Sequence, residues 1–147
     1  MDRDVLRQQL SEFMTSMELE GYVDFHFNIS YSVKRMDGPF SFIELLNNFR
    51  SDSQATLRAM TQTLEQQDLN FDDLEQHCLK LKGSTACIGI HRMALACGDM
   101  MNAIARGSKE ECILILHHMK QLFQVLQDKF DIICQLERRI NEPMPNA

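Results

Sequence analysis

Gln76-His77-Cys78-Leu79-Lys80-Leu81-Lys82-Gly83-Ser84-Thr85-Ala86-Cys87-Ile88-Gly89 is the stretch on which the fold of this chain turns. Successive residues of an α-helix rotate by about 100°. On that ruler Leu74, Cys78, Leu81, Thr85 and Ile88 share one narrow arc, the buried stripe of an amphipathic helix. Leu79 then projects about 140° away from the stripe, towards solvent. Glu75, Lys82, Gly83 and Ala86 flank it on the same side. Gly83 stands in mid-helix, where glycine costs roughly 0.5–1 kcal/mol relative to alanine. Its direction points to solvent, so a missing side chain there serves close approach by a partner better than it serves internal packing. His77 lies about 60° from the stripe on its other flank, a boundary position that is partly packed.

Outward from this helix the same spacing recurs. Leu6, Leu10, Phe13, Met14 and Met17 predict a first helix, with Asp2 as N-cap and Gly21 as stop. A second, short helix is predicted over about residues 24–35. Asp37-Gly38-Pro39 is the clearest break, with Pro39 suited to the first turn of the next helix. Phe42, Leu46, Phe49, Ser53, Leu57, Met60 and Leu64 give one long stripe, closed by a loop at residues 67–70. After Gly89 a fifth helix carries Met93, Cys97, Met100 and Ile104 and ends at Gly107-Ser108. A last helix carries Cys112, Ile115, Met119, Leu122, Leu126, Phe130 and Ile133 to about residue 140. Residues 141–147, with two prolines, read as a flexible tail beyond a single domain of residues 1–140. Short loops between long helices imply antiparallel neighbours. The expected fold is therefore all-α, an up-down antiparallel four-helix bundle with two additional N-terminal helices covering one end.

Composition narrows the function. A net charge of −6 lacks the clustered basic charge that a nucleic-acid surface needs, so no nucleic acid is expected as a partner. No apolar run approaches the roughly 18 residues that would span a bilayer, and no signal-peptide pattern opens the chain, which points to a soluble, intracellular protein without a membrane partner. Five cysteines, an odd number, fall inside helical patterns and read as reduced core residues in a reducing compartment.

The string from residue 77 to 89 resembles the signature of plant histidine-containing phosphotransfer proteins, roughly His-Gln-Leu-Lys-Gly-Ser-Ser-Ser-Ser-Ile-Gly. Leu81, Lys82, Gly83, Ser84, Ile88 and Gly89 match at the right offsets, which puts Leu79 on the histidine that carries the phosphoryl group in that family. Gln135-Leu136-Glu137-Arg138-Arg139-Ile140 resembles the family's Gln-Leu-Glu-Gln-Gln-Ile ending, and Val23-Asp24-Phe25-His26-Phe27 its Leu-Asp-x-x-Phe opening. Cys97 falls on a cysteine common in plant members. The likeness extends over about residues 3–140. It departs at Ala86 and Cys87, which replace family serines, and at Met100-Met101, where Phe-Arg is usual.

The resemblance implies a monomeric phosphorelay protein of the cytokinin-signalling type, in cytoplasm and nucleus. Its partners would be receiver domains of hybrid histidine kinases and response regulators. In the family the lysine matching Lys82 places positive charge near the phosphorylated imidazole. Glu75, Leu79, Lys80, Lys82, Gly83 and Ala86 are the expected receiver-binding residues. With leucine at position 79 the chain resembles a pseudo-phosphotransfer member, not an enzyme and without a catalytic residue, which binds receivers and carries no phosphate.

Two alternatives stay open. His77 is the nearest substitute acceptor, but positions i and i+2 differ by about 200° and do not share a helical face. A helical adaptor that no longer meets receivers is the other, kept alive by the departures at Ala86, Cys87, Met100 and Met101. His91 follows the Gly89 bend, one of His117 and His118 is expected to border the core, and His26 reads as a surface residue. No Cys-x-x-Cys or His-x-x-x-His pair, phosphate loop or Ser/His/Asp arrangement stands in the chain, so neither metal nor cofactor is expected.

Overall fold

A computed structural model describes residues 2–143. Six helices follow one another: α1 Arg3–Leu19, α2 Phe25–Asp37, α3 Ser41–Glu65, α4 Phe71–Ile88, α5 His91–Ala105 and α6 Lys109–Ile140. Four of them start at a side-chain cap. Asp2, Asp24, Asn70 and Ser108 accept from the amides of Asp4, His26, Asp73 and Glu111, which have no partner inside the first turn. Pro39 is not in the first turn of α3 as expected. It lies ahead of the N-cap residue Phe40, and its carbonyl accepts from the Asn141 side chain at 3.0 Å.

α3 neighbours α4, α4 neighbours α5, α5 neighbours α6, and α6 returns to α3, which closes the expected four-helix square. The helices are unequal. At 1.5 Å per residue, α6 is about 48 Å long and α5 about 22 Å, so half of α6 extends past its neighbour. The N-terminal helices fill that space. α1 runs antiparallel to the far half of α6, with Arg3 bonded to the Glu142 carbonyl and Lys129 3.9 Å from Glu20. α2 packs on α3 and α4. Phe27 sits edge-on to Phe42 (5.4 Å) and stacked with Phe130 (6.3 Å), while Phe49 meets Phe130 at 6.1 Å, so α2, α3 and α6 share one aromatic centre.

This upper layer is pinned to the α4–α5 turn. The Asp24 amide donates to the Gly89 carbonyl at 2.9 Å, and the Arg92 side chain bonds the Glu20 carbonyl while lying 4.0 Å over the Tyr22 ring. Gly89 is required here on two counts. Its φ is +90°, and a Cβ would stand 2.5 Å from Asp24 Oδ1 and 2.6 Å from the Phe27 nitrogen.

The stripes of α3, α4 and α5 are buried as their spacing predicts. In α6 Cys112, Met119, Leu122, Leu126, Phe130 and Ile133 are also buried as expected, and one position differs: Leu116 is buried and Ile115 only partly so. Both His117 and His118 are exposed, and neither borders the core. Four cysteines are buried, but Cys87 is exposed, against the expectation that all five pack inside. The ruler explains why. Cys87 is eight residues on from Leu79 and about 220° from the buried stripe.

Glu137 is the one fully buried carboxylate among the described residues. Asn141 Nδ2 donates to its Oε1 at 2.8 Å, and Arg35 Nη1 lies 3.7 Å away while donating to the Tyr31 hydroxyl at 2.9 Å. Burial, then the Glu137 carboxylate, pushes the Tyr31 hydroxyl up to about 12. Residues 144–147 of the expected tail lie outside the described residues; Asn141 closes α6.

Candidate functional site

α4 presents to solvent the arc opposite its stripe. Leu79 is 43% exposed, and Lys80, Lys82, Gly83 and Ala86 are exposed with it. Glu75, one turn before Leu79, is half-buried at the margin. Leu79, Gly83 and Ala86 form the middle of the arc. Lys82 and Glu75 stand at the edge facing α5, where the charge of Lys82 is felt by the Cys78 and Cys97 thiols. Lys80 points about 100° away from Leu79, to the opposite edge. All six expected residues are thus on one surface, with Lys80 and Lys82 as its two flanks.

Gly83 has open space beyond its Cα: nothing stands within 4 Å of where a Cβ would be. No internal packing demands glycine there, so the helix carries a propensity cost of roughly 0.5–1 kcal/mol without an internal return. Position 83 is instead a place where another surface can approach backbone.

Beneath this face α4 is anchored to α5. The Cys78 thiol donates to the Cys97 carbonyl at 3.3 Å, with both residues fully buried. The contact with the Cys97 sulfur draws the Cys78 thiol below its usual range. The same contact, with burial, pushes Cys97 up. Leu79 therefore sits beside a fixed residue, and its orientation follows from the packing of Cys78 and Leu81.

His77 is half-buried on the α3 flank and makes no hydrogen bond among the described residues. It does not share the face of Leu79. Among the described residues no group of three or more His, Cys, Asp or Glu is placed to hold a metal ion. Leucine has no lone pair, so position 79 cannot attack a phosphorus centre. As built, the face has no nucleophile at its centre.

Reading the sequence left part of this surface unseen. Cys87, at the C-terminal end of the arc, lines a groove of about 280 Å³ with Ile29, Val33 and Lys34 of α2, Leu45 of α3 and Ile88. On α2, Phe25, Ile29, Val33 and Met36 are all half exposed or more, an apolar row turned towards solvent. That row was legible as i, i+4, i+8, i+11 spacing, but a stripe alone does not tell an inward face from an outward one. The candidate surface is thus a strip along α4 that continues onto α2.

Comparison with known proteins bears on what such a surface belongs to. A family model described as the Hpt domain matches residues 44–129. Histidine-containing phosphotransfer protein 2 of Oryza sativa subsp. japonica is 29% identical over 136 residues, covering 92% of this chain and 91% of that protein. Pseudo histidine-containing phosphotransfer protein 5 of the same plant is 26% identical over 139 residues, covering 95% and 91%. A crystal structure of a histidine-containing phosphotransfer protein from maize superposes with a TM-score of 0.86 at 27% identity, covering 92% of this chain and 99% of that one.

Proposed function

Since the chain belongs to the Hpt domain family, we propose that it is a plant two-component phosphorelay protein that docks receiver domains without carrying phosphate. The observation that carries this reading is the placement of Leu79. The resemblance of residues 77–89 to the family's signature matches Leu79 to the phosphoacceptor, and it lies on the exposed arc of α4, between Lys82 and Gly83. In an active relay an imidazole nitrogen takes the phosphoryl group from a receiver's aspartyl phosphate, breaking one P–O bond and forming one P–N bond. Leucine offers no such atom. The charge at Lys82, the open backbone at Gly83 and the apolar row on α2 remain available for docking.

The protein then acts by occupancy. Bound to the receivers of hybrid kinases and response regulators in cytoplasm and nucleus, as a monomer, it competes with phosphate-carrying relatives and lowers flux through a cytokinin-type relay. Burial of Leu79 against an apolar receiver surface adds about 1 kcal/mol to docking.

The test is a reconstituted relay with labelled phosphate, a receiver-bearing kinase and this protein. The wild type is expected to bind the receiver and stay unlabelled, while Leu79→His gains acid-labile, alkali-stable label on the new imidazole. Label on the wild type that disappears in His77→Ala would overturn the reading in favour of His77, whose ring is half-exposed and unpaired among the described residues. A folded protein that binds no receiver would select the adaptor reading.

A further inference from the structure

α3 and α6 form the side of the bundle that α4 does not touch with its site face, and between them runs a groove. Its upper part is lined by Leu57, Arg58, Thr61, Lys120 and Phe123 among glutamines. Its lower part is lined by Thr61, Leu64, Ile113, Leu116, His117 and Lys120. Thr61 and Lys120 line both parts, so the two hollows, of about 360 and 240 Å³, adjoin along the α3–α6 seam.

The trough has definite ends. At one, Arg50 bridges to Gln127 (3.3 Å) and Asp131 (2.6 Å) on α6. At the other, Lys109 Nζ reaches the Gln66 carbonyl at 3.5 Å. Between these bridges no hydrogen bond or ion pair crosses from α3 to α6 among the described residues. From residue 50 to 66 is about 24 Å along α3, room for roughly four turns of a further helix. Leu57, Leu64, Leu116 and Phe123 lie buried at the base of the trough, and Ile113, 47% exposed, is the apolar side chain it offers to solvent.

Charge decides what fits. The chain is acidic, at −6 overall, yet the trough's walls carry Arg58 and Lys120, and neither has an ion-pair partner among the described residues. One acid, Glu65, stands at the lower end. Two cations without ion-pair partners, Arg58 on α3 and Lys120 on α6, match a helix whose apolar stripe is flanked by carboxylates.

We infer that the α3–α6 trough is a second docking site, which takes an acidic amphipathic helix of a partner protein, on a surface separate from the Leu79 face. Such a site lets the protein hold a receiver and a second protein at once.

The test uses the full chain, labelled with ¹⁵N, and two synthetic 16-residue peptides. Both carry the same leucine stripe, one flanked by glutamates and the other by lysines. The acidic peptide is expected to bind saturably and to shift amides within residues 54–65 and 113–127. Its affinity should exceed that of the basic peptide at least tenfold, and fall at least tenfold in Arg58→Glu/Lys120→Glu. Both substituted residues are exposed, and circular dichroism confirms the fold of the variant. Equal binding of the two peptides, shifts confined to α2 and α4, or no saturable shift would each overturn the inference. So would self-association of the free protein through the same residues, because a second copy would then be the occupant.

Discussion

Gly83→Ala separates the folding role of this position from its proposed docking role, because the two predict changes of opposite sign. A Cβ at position 83 meets nothing within 4 Å, and the residue lies inside α4 with no positive φ. The substitution therefore introduces no clash and removes the conformational freedom that glycine gives the unfolded chain. The expected gain is about 0.5–1 kcal/mol, or about 1.5–3 °C in Tm for a domain of this length. A receiver that comes close to the backbone at Gly83 would meet the new methyl as overpacking. That costs about 1–3 kcal/mol, which weakens binding roughly 5- to 150-fold.

Gly98 provides the internal control. It lies inside α5, its Cβ would also meet nothing within 4 Å, and it is not on the α4 face. Gly98→Ala should raise Tm by a similar amount and leave receiver binding unchanged. Thermal unfolding and titration calorimetry with a plant receiver domain, run on both variants, read the two effects separately. If Gly83→Ala stabilises the fold and binds the receiver within twofold of wild type, the close-approach argument fails. If it destabilises, the space above Gly83 is not open as described.

Other substitutions test the remaining links. Leu79→Ser should weaken receiver binding about fivefold, the equivalent of about 1 kcal/mol of lost apolar burial, while urea unfolding moves by no more than about 0.5 kcal/mol; a large stability loss would mean that Leu79 is packed. Phe130→Ala removes the ring that joins Phe27 and Phe49, and should cost about 3–5 kcal/mol in urea titrations. A loss below 1 kcal/mol there would contradict a shared aromatic centre. Tyr31→Phe tests the buried cluster through pH. The hydroxyl is held to about 12 when folded and ionises near 10 when unfolded. Its contribution is therefore complete below pH 10 and lost as pH rises towards 12. The wild type should lose about 1 kcal/mol more than Tyr31→Phe over that window, after discounting for partial exposure. The raised cysteines titrate in both proteins and cancel in the difference. Parallel alkaline profiles would rule the cluster out as the cause.

The bundle was legible in the sequence because its stripes are long and regular. Seven positions from Phe42 to Leu64 keep one face, and every one is buried. The exposure of Leu79 was legible for the same reason, since the ruler that buries Cys78 and Leu81 turns residue 79 outward. What was missed lay where spacing leaves a choice. Ile115 and Leu116 both continue an apolar run, and only the neighbours decide between them: Leu116 turns in towards Thr61 and Leu64 of α3, while Ile115 stays at the α5 edge beside Asp99 and Asn102. On α2 the outward row of Phe25, Ile29, Val33 and Met36 is more apolar than its single buried residue Phe27. Hydrophobicity there marks a surface and not a core, which no single-chain pattern can reveal. Cys87 was assigned to the core by residue type, although its angle on α4 already argued otherwise.

The separation of these arcs also explains how the chain can keep its fold whichever residue stands at position 79. α4 is held by Leu74, Cys78, Leu81, Thr85 and Ile88, and by the Gly89 cap that locks it to Asp24. None of those contacts involves residue 79. An exposed side chain in mid-helix changes stability by no more than about 0.5 kcal/mol, and leucine is a better helix former than histidine. Exchange at this position is therefore nearly free for folding, in either direction. Lys82 is the same in this respect, since an exposed lysine can be replaced at almost no cost; Gly83 differs, because its replacement brings a gain. Folding would favour losing Gly83, yet the chain has it, on the same face as Leu79 and next to Lys82. The proposed docking role supplies a demand from outside the fold: a partner surface that approaches the backbone closely at Gly83.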